Sequence, residues 1–190
     1  MNETLTFDEA THTYTLNGEK LPSVTRLLKD AGLVDDRWFN EQGARRGSFA
    51  HSALEFYDHN DLDESTLDPR LLGFLEGWKK FKAESQIEIL SIEERVCNEA
   101  YWYAGTLDRR VMMQGEEIII DVKTGAPMAH HGCQLALYRM CFPRPLGGMG
   151  VYLSEGGYKI IEYGQLEHMA TARAIVTLAA WKRKYGRREA

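Results

Sequence analysis

Long hydrophobic runs are missing from this 190-residue chain: the best, Ala174 to Trp181, has eight residues, against the roughly 20 that a membrane-spanning helix needs. The N-terminus has no basic stretch followed by an apolar one, so the expectation is a soluble, unexported protein with no membrane partner. Cysteine is scarce. Cys97, Cys133 and Cys141 are odd in number and form no C-x-x-C pair, which argues against a disulfide framework and for thiols in a reducing compartment. Internal repeats, low-complexity tracts and Pro/Gly/Ser-rich linkers are also absent. With 44% hydrophobic and 27% charged residues, one globular domain over 1–190 is the simplest organisation. No nucleotide cradle is present, because Gly147-Gly148-Met149-Gly150 lacks the lysine and hydroxyl of a P-loop.

An excess of positive charge is missing too. The net charge is −5, which by itself disfavours a nucleic-acid partner, but the charge is unevenly spread. Residues 1–70 carry 7 basic and 14 acidic side chains, and residues 71–190 carry 16 and 14. The last ten residues hold Lys182, Arg183, Lys184, Arg187 and Arg188 against Glu189, which suits either a helix C-terminus or a phosphate-facing patch.

The pattern reads as a mixed α/β domain. Leu5 to Phe7 and Thr13 to Leu16, closed by Asn17-Gly18, predict short strands around a tight turn. Ser23 predicts the N-cap of a short helix ending near Gly32. Asp36 to about Tyr57 reads as helical, with Gly47, His51 and Glu55 on one face because they recur every four residues. The polar stretch Asp58 to Asp68 reads as a surface loop, and Pro69 starts a helix with Leu71, Leu75, Trp78 and Phe81 as its apolar stripe. This N-terminal hairpin-and-helix portion runs to residue 86, and a strand-rich core follows over 87–190. There the period becomes strand-like for Ile87 to Cys97, Tyr101 to Met112 and Glu116 to Val122, separated by Asn98-Glu99 and Gln114-Gly115. A helix carrying Gln134 and Tyr138, a hairpin of Met149 to Leu153 with Tyr158 to Tyr163, and a closing helix over Gln165 to Tyr185 complete the order. In that last helix Leu166, Met169, Val176 and Ala180 are the expected core residues.

The most informative segment is Gly105-Thr106-Leu107-Asp108 followed by Ile118 to Gly125, where Asp121 and Lys123 end an apolar strand. Strand side chains alternate, so Asp121 and Lys123 share a face. A two-residue turn at Gln114-Gly115 pairs Met113 with Glu116 and sets Asp108 opposite Asp121, with Cβ atoms about 5 Å apart. Two adjacent carboxylates repel unless a proton, a cation or a metal offsets them. Oxygen ligands suit Mg²⁺ or Mn²⁺, and a lysine beside such an ion and a phosphate fits phosphodiester hydrolysis. A salt-bridged strand end, with Lys123 simply pairing with Asp108 or Asp121, is the other reading of the same residues.

Taken in order, these motifs resemble the PD-(D/E)XK nuclease superfamily, in particular its RecB-like exonuclease branch, over about Arg46 to Tyr138. Arg46-Gly47-Ser48-Phe49-Ala50-His51 is similar to the branch's G-x-x-x-H helix, Gly105 to Asp108 to its G-x-x-D strand, Asp121-Val122-Lys123-Thr124 to its D-x-K-T strand, and Gln134 to Tyr138 to its Q-x-x-x-Y helix. His12-Thr13-Tyr14 and Pro22-Ser23-Val24-Thr25 look like phage members of the branch. The resemblance implies a restriction-endonuclease-like core, a mixed central β-sheet flanked by α-helices. It further implies that Asp108, Asp121, His51 and the Val122 carbonyl hold one or two Mg²⁺ or Mn²⁺ ions, that Lys123 is the catalytic lysine, and that Gln134 and Tyr138 line the site and contact the nucleic acid or hold Lys123. No iron–sulfur cluster is expected, since nothing beyond Cys141 could supply a cysteine cluster after the Q-x-x-x-Y helix.

The implied activity is metal-dependent DNA exonuclease action in phage or bacterial recombination, repair or processing, in the cytoplasm, alongside a single-strand-annealing protein, a helicase or another recombination partner. A DNA endonuclease with the same site and a noncatalytic DNA-binding subunit are the alternatives. Arg45, Arg46, Arg109 and Arg110 are candidate phosphate contacts, or solvated surface charges. Glu93 and Glu94 compete as a further carboxylate, His130-His131 could touch a phosphate or metal, and Tyr101, Trp102 and Tyr103 fit core packing better than base stacking.

Overall fold

The computed structural model describes residues 4–34 and 41–186. Three short strands, β1 (Leu5–Asp8), β2 (Thr13–Leu16) and β3 (Glu19–Leu21), form an antiparallel sheet of their own. Asn17 and Gly18 turn β2 into β3 with φ of 52° and 87°, the positive values that a two-residue hairpin turn requires. Ser23 then caps α1 (Val24–Asp30), its side chain accepting from the Arg26 N–H at 3.0 Å. The next helix, α2, is described over Glu41–Asp58; the part of the expected helix at 36–40 lies outside the described residues. After a 3-10 turn at Glu64–Thr66, Asp68 caps α3 (Pro69–Ser85), with Pro69 in the first turn.

A five-stranded sheet follows, in sequence order: β4 (Glu88–Asn98), β5 (Tyr103–Met113), β6 (Glu116–Lys123), β7 (Gly147–Ser154) and β8 (Gly157–Glu162). The pairings are antiparallel except β6 with β7, which run parallel. A parallel pair needs a long crossover, and here it contains α4 (Ala129–Arg139). The last described element is α5 (Leu166–Tyr185). Leu54, Leu75, Trp78 and Phe81 from α2 and α3 pack with Ile118, Ile120 and Val122. Leu27 and Leu28 of α1, Leu135 and Leu137 of α4 and Val176 of α5 pack in a second cluster with Ile119. Alternation along β6 sends Ile118, Ile120 and Val122 one way and Ile119 the other, so helices cover both faces of the sheet. The expected stripe of α3 is buried throughout. In α5, however, the core residues are Ala172, Ile175 and Val176, and Leu166 is 87% exposed; as the first residue of the helix it precedes the turns that pack, beginning at Met169.

One further difference fixes how the layers meet. Asp58, expected to open a surface loop, is the last residue of α2, and its carboxylate is fully buried. It accepts from Trp78 Nε1 at 3.0 and 3.1 Å, from Lys82 Nζ at 2.7 Å and from Arg109 Nε at 2.8 Å. One carboxylate thus ties α2, α3 and β5 together, with two cations and an indole donor saturating its oxygens. Asp58→Ala would leave the buried Nε of Arg109 and indole N–H of Trp78 without this acceptor and should lower stability by about 3–5 kcal/mol, measured by urea unfolding. A loss below about 1 kcal/mol would show that the network is not a main tie between the layers.

Candidate active site

Between α2, the N-terminal sheet and the edge of β4–β6 lies an open cleft of about 860 Å³. Its floor is assembled by strand register. The pairs Ile92 with Arg109 and Glu94 with Leu107 bracket a position where Glu93 meets Asp108. Across the next pairing, Met113 faces Glu116 and Arg109 faces Ile120, so the following step sets Asp108 beside Asp121, as the turn at Gln114 and Gly115 (φ of 51° and 82°) dictates. Three carboxylates therefore stand in a row across three adjacent strands. The Val122 N–H donates to Asp108 Oδ2 at 2.6 Å and fixes that carboxylate against β6.

Helix α2 brings the fourth group. Gly47, His51 and Glu55 all line the cleft, as four-residue spacing on one helical face requires. A Cβ on Gly47 would stand 3.4 Å from Thr124 Oγ1, so the helix runs close to the end of β6 there. His51 Nδ1 lies 3.6 Å from Asp108 Oδ1. One ligand atom each from His51, Glu93 and Asp108 lie within 4.8 Å of one another, a nitrogen-and-oxygen set that could hold a divalent ion. Asp121 adds a buried carboxylate whose Oδ2 has no well-aligned donor, although Lys123 Nζ stands 2.7 Å away as an ion-pair partner. The residues present fit a divalent cation.

Electrostatics report the same crowding. Burial, reinforced by the Asp108 charge and opposed by Arg109, pushes the Glu93 carboxyl up to about 7. Burial also raises Asp121 to about 6, against the pull of Lys123 and with the help of Asp108. Burial disfavours the Lys123 ammonium, but Asp121 and Asp108 outweigh it and hold the amine above its ordinary value. Lys123 therefore carries its charge in this arrangement.

The other expected residues are placed less uniformly. Gln134 and Tyr138 of α4 line the cleft. Tyr138 is buried, and a Cβ on Gly105 would fall 2.7 Å from its ring. Glycine at the start of the G-x-x-D motif is thus what lets α4 approach β5. Arg45 and Arg46 are exposed on α2, Arg45 paired with Glu41 at 2.7 Å and Arg46 over the Phe74 ring at 5.8 Å. Arg109 is a correction. It is 1% exposed, because strand alternation turns it away from Asp108's face, and it is committed to Asp58, to Glu93 at 3.2 Å and to the Asp108 carbonyl at 2.7 Å. It cannot reach a phosphate; it braces two acids of the site from beneath.

Arg110 is likewise occupied, by Glu94 and Glu117, both at 2.7 Å. Glu93 rather than Glu94 joins the cleft, and its φ of 46° is a left-handed conformation rare for a non-glycine residue. His131 is buried and shares its Nδ1 with the Tyr152 hydroxyl at 2.8 Å. Tyr103 is fully buried and donates to the Leu137 carbonyl, so the aromatic run serves the core. Lys182, Arg183 and Lys184 occupy the last turn of α5 and do not line the cleft; Arg187, Arg188 and Glu189 lie outside the described residues.

No protein-family model and no curated protein matches the chain. In three dimensions it is similar to the crystal structure of a "putative exonuclease" from Eubacterium rectale, with a TM-score of 0.52 at 13% identity, covering 90% of this chain and 77% of that one. The crystal structure of SSO0001 aligns over 87% of this chain and 85% of that one at 19% identity, with a TM-score of 0.37. The first likeness is one of fold, a mixed five-stranded sheet flanked by helices in the restriction-endonuclease-like arrangement. No helix among the described residues is long and apolar enough to cross a membrane.

Raised carboxyl values have a thermodynamic consequence. Between the ordinary 4.5 of a glutamate and about 7, the folded protein holds a proton at Glu93 that the unfolded chain has lost, so stability from this group falls as pH rises through that window. The slope is at most about 1.4 kcal/mol per pH unit. In EDTA, the melting temperature of Glu93→Gln should therefore fall less between pH 5 and 7.5 than that of the parent; parallel curves would remove the assignment.

Proposed function

We propose that the protein is a divalent-metal-dependent DNA exonuclease of the PD-(D/E)XK type. The observation that carries this reading is the convergence of His51, Glu93, Asp108 and Lys123 in one open cleft, with the buried Asp121 carboxylate ion-paired to Lys123, on a fold shared with a protein named as a putative exonuclease. His51, Glu93, Asp108 and Asp121 would hold the ion, with the Val122 carbonyl as the further ligand that the D-x-K motif implies. When bound, Mg²⁺ or Mn²⁺ supplies positive charge that acidifies water and offsets the charge of the phosphate.

The chain's own residues do the rest. Lys123, kept protonated by Asp121 and Asp108, places an ammonium where negative charge grows on the scissile phosphate. Asp108 is locked by the Val122 N–H and Glu93 is steadied by Arg109, so the acidic set is held in place before substrate arrives. Gln134 and Tyr138 border the same cleft and would position the phosphodiester or Lys123. Exonuclease rather than endonuclease action follows from the motif order shared with the RecB-like branch, and recombination or repair with its partners follows from the same resemblance.

End-labelled linear DNA should be degraded with Mg²⁺ or Mn²⁺, closed circles should persist, and EDTA should stop the reaction. Lys123→Ala should lower the rate by at least about 100-fold without unfolding the protein, and Asp108→Asn should weaken Mn²⁺ binding in calorimetric titration. Cleavage of circles would make it an endonuclease. Wild-type rates in Lys123→Ala would remove the lysine's role.

A further inference from the structure

The wall of the cleft opposite α2 is aromatic, and none of the groups that hold metal or phosphate accounts for it. Phe7 of β1, His12 in the β1–β2 turn and Tyr14 of β2 line the cleft with Arg95 of β4. Phe7 meets His12 edge-on with centroids 5.1 Å apart and Tyr14 at 4.5 Å, and the Arg95 guanidinium lies over the Phe7 ring at 5.2 Å. Tyr14 is buried and its hydroxyl shares a hydrogen bond with Thr106 Oγ1 at 2.8 Å, two residues before Asp108. The small sheet is thus fastened to the strand that carries Asp108. His12 is exposed and adopts a φ of 50°, a conformation uncommon for a side-chain-bearing residue, most often seen at turns and functional sites.

Charge shows what this wall must do. Among the described residues lining the cleft, the acids are Glu9, Glu55, Glu93 and Asp108, whereas the arginines and lysines are Arg95 and Lys123. A polyanion gains little from such a surface by charge alone, even once a divalent ion has neutralised part of it. Affinity must come from something other than phosphate neutralisation. The Arg95 guanidinium lies over the Phe7 ring at 5.2 Å, and with the exposed imidazole of His12 it offers a platform for π-faces. Arg95 remains 47% exposed, and its contact with Glu9 is a loose 3.6 Å between exposed groups, cheaply given up to a ligand.

We propose that Phe7, His12 and Arg95 form a base-stacking subsite that takes unpaired nucleotides of single-stranded DNA next to the scissile phosphate. Bases inside a duplex are already stacked on one another, so this wall gains affinity from single strands and frayed ends and not from paired DNA. The subsite deepens the nuclease reading and rests on it for the neighbouring phosphate, but its binding can be measured without cleavage.

The test is fluorescence anisotropy in EDTA with Lys123→Ala protein and four probes: a labelled 15-mer of thymidylate, an abasic 15-mer of equal charge, a blunt 15-base-pair duplex and a 15-mer of uridylate. The thymidylate strand should bind at least about 10-fold tighter than the abasic strand, with a shallow salt dependence corresponding to about one or two phosphate contacts. His12→Asn, which tolerates the same backbone, and Phe7→Leu, which keeps the apolar packing, should each remove most of that preference, as should Arg95→Ala. Equal binding of thymidylate and abasic strands, tighter binding of the duplex, or variants that keep the full preference would overturn the subsite. Tighter binding of uridylate would overturn its assignment to DNA. Absence of nuclease activity in the unmutated protein with every metal would count against the catalytic reading alone, since the binding comparison needs no cleavage.

Discussion

A buried carboxylate that most of its surroundings depend on sits outside the cleft. Asp58 is removed from water at the end of α2, and an ionised acid there is tolerable only because Trp78, Lys82 and Arg109 complete its shell. Arg109 also donates through Nη1 to Glu93 and to the Asp108 carbonyl. Through two residues, the packing of α2 and α3 is coupled to the placement of two acids in the site. The sheet's alternation makes this possible, because neighbours on β5 point to opposite faces: Asp108 toward the cleft and Arg109 into the helix layer.

The same arrangement explains how the site tolerates its own repulsion. Glu93, Asp108 and Asp121 cross three strands in a line. Folding buries these acids and sets like charges together, and the carboxyl values of Glu93 and Asp121 rise, mainly through burial and further through the Asp108 charge. The charge is answered from three directions: Arg109 from beneath Glu93, Lys123 beside Asp121 and the Val122 N–H at Asp108. What these groups leave uncompensated, a divalent cation could supply, and the binding energy would return as folding stability, since the ligands are assembled only in the folded chain.

Much of this was legible from the residues, and the failures have local causes. The turn at Gln114-Gly115 could be read because two adjacent positive-φ positions favour that pair of residues, and it fixed the Asp108–Asp121 register. The choice between Glu93 and Glu94 could not be read in the same way. A turn at Asn98-Glu99 was the natural expectation, but the chain turns over residues 99–102 with Trp102 at a φ of 63°, and Asn98 pairs with Tyr103. Counting back from that pair brings Glu93 to Asp108, so the length of this loop is what decides between the two glutamates. Asp58 and Arg109 were misread for another reason. Their partners lie 51 residues apart in sequence, and no local pattern marks an acid at the head of a polar stretch, or an arginine in a strand, as buried.

The N-terminal sheet bears on the apparent conflict between a net charge of −5 and the proposed nucleic-acid substrate. A protein that binds phosphates by charge alone needs an excess of cations on one face. In this chain several of the arginines that might have formed such a face are engaged elsewhere: Arg109 with Asp58 of α2 and Glu93 of β4, Arg110 with Glu94 and Glu117 of the sheet, Arg139 with the carbonyls of Leu146 and Tyr163. A cleft that instead combines an ion held by carboxylates with planar groups for bases needs few permanent cations. Its acidity then becomes a condition of function, because the carboxylates that repel bare phosphate are the ones that would recruit the ion. Such a site should favour strands that offer both a phosphate to the metal and an exposed base to the wall, and discriminate against those that offer only one.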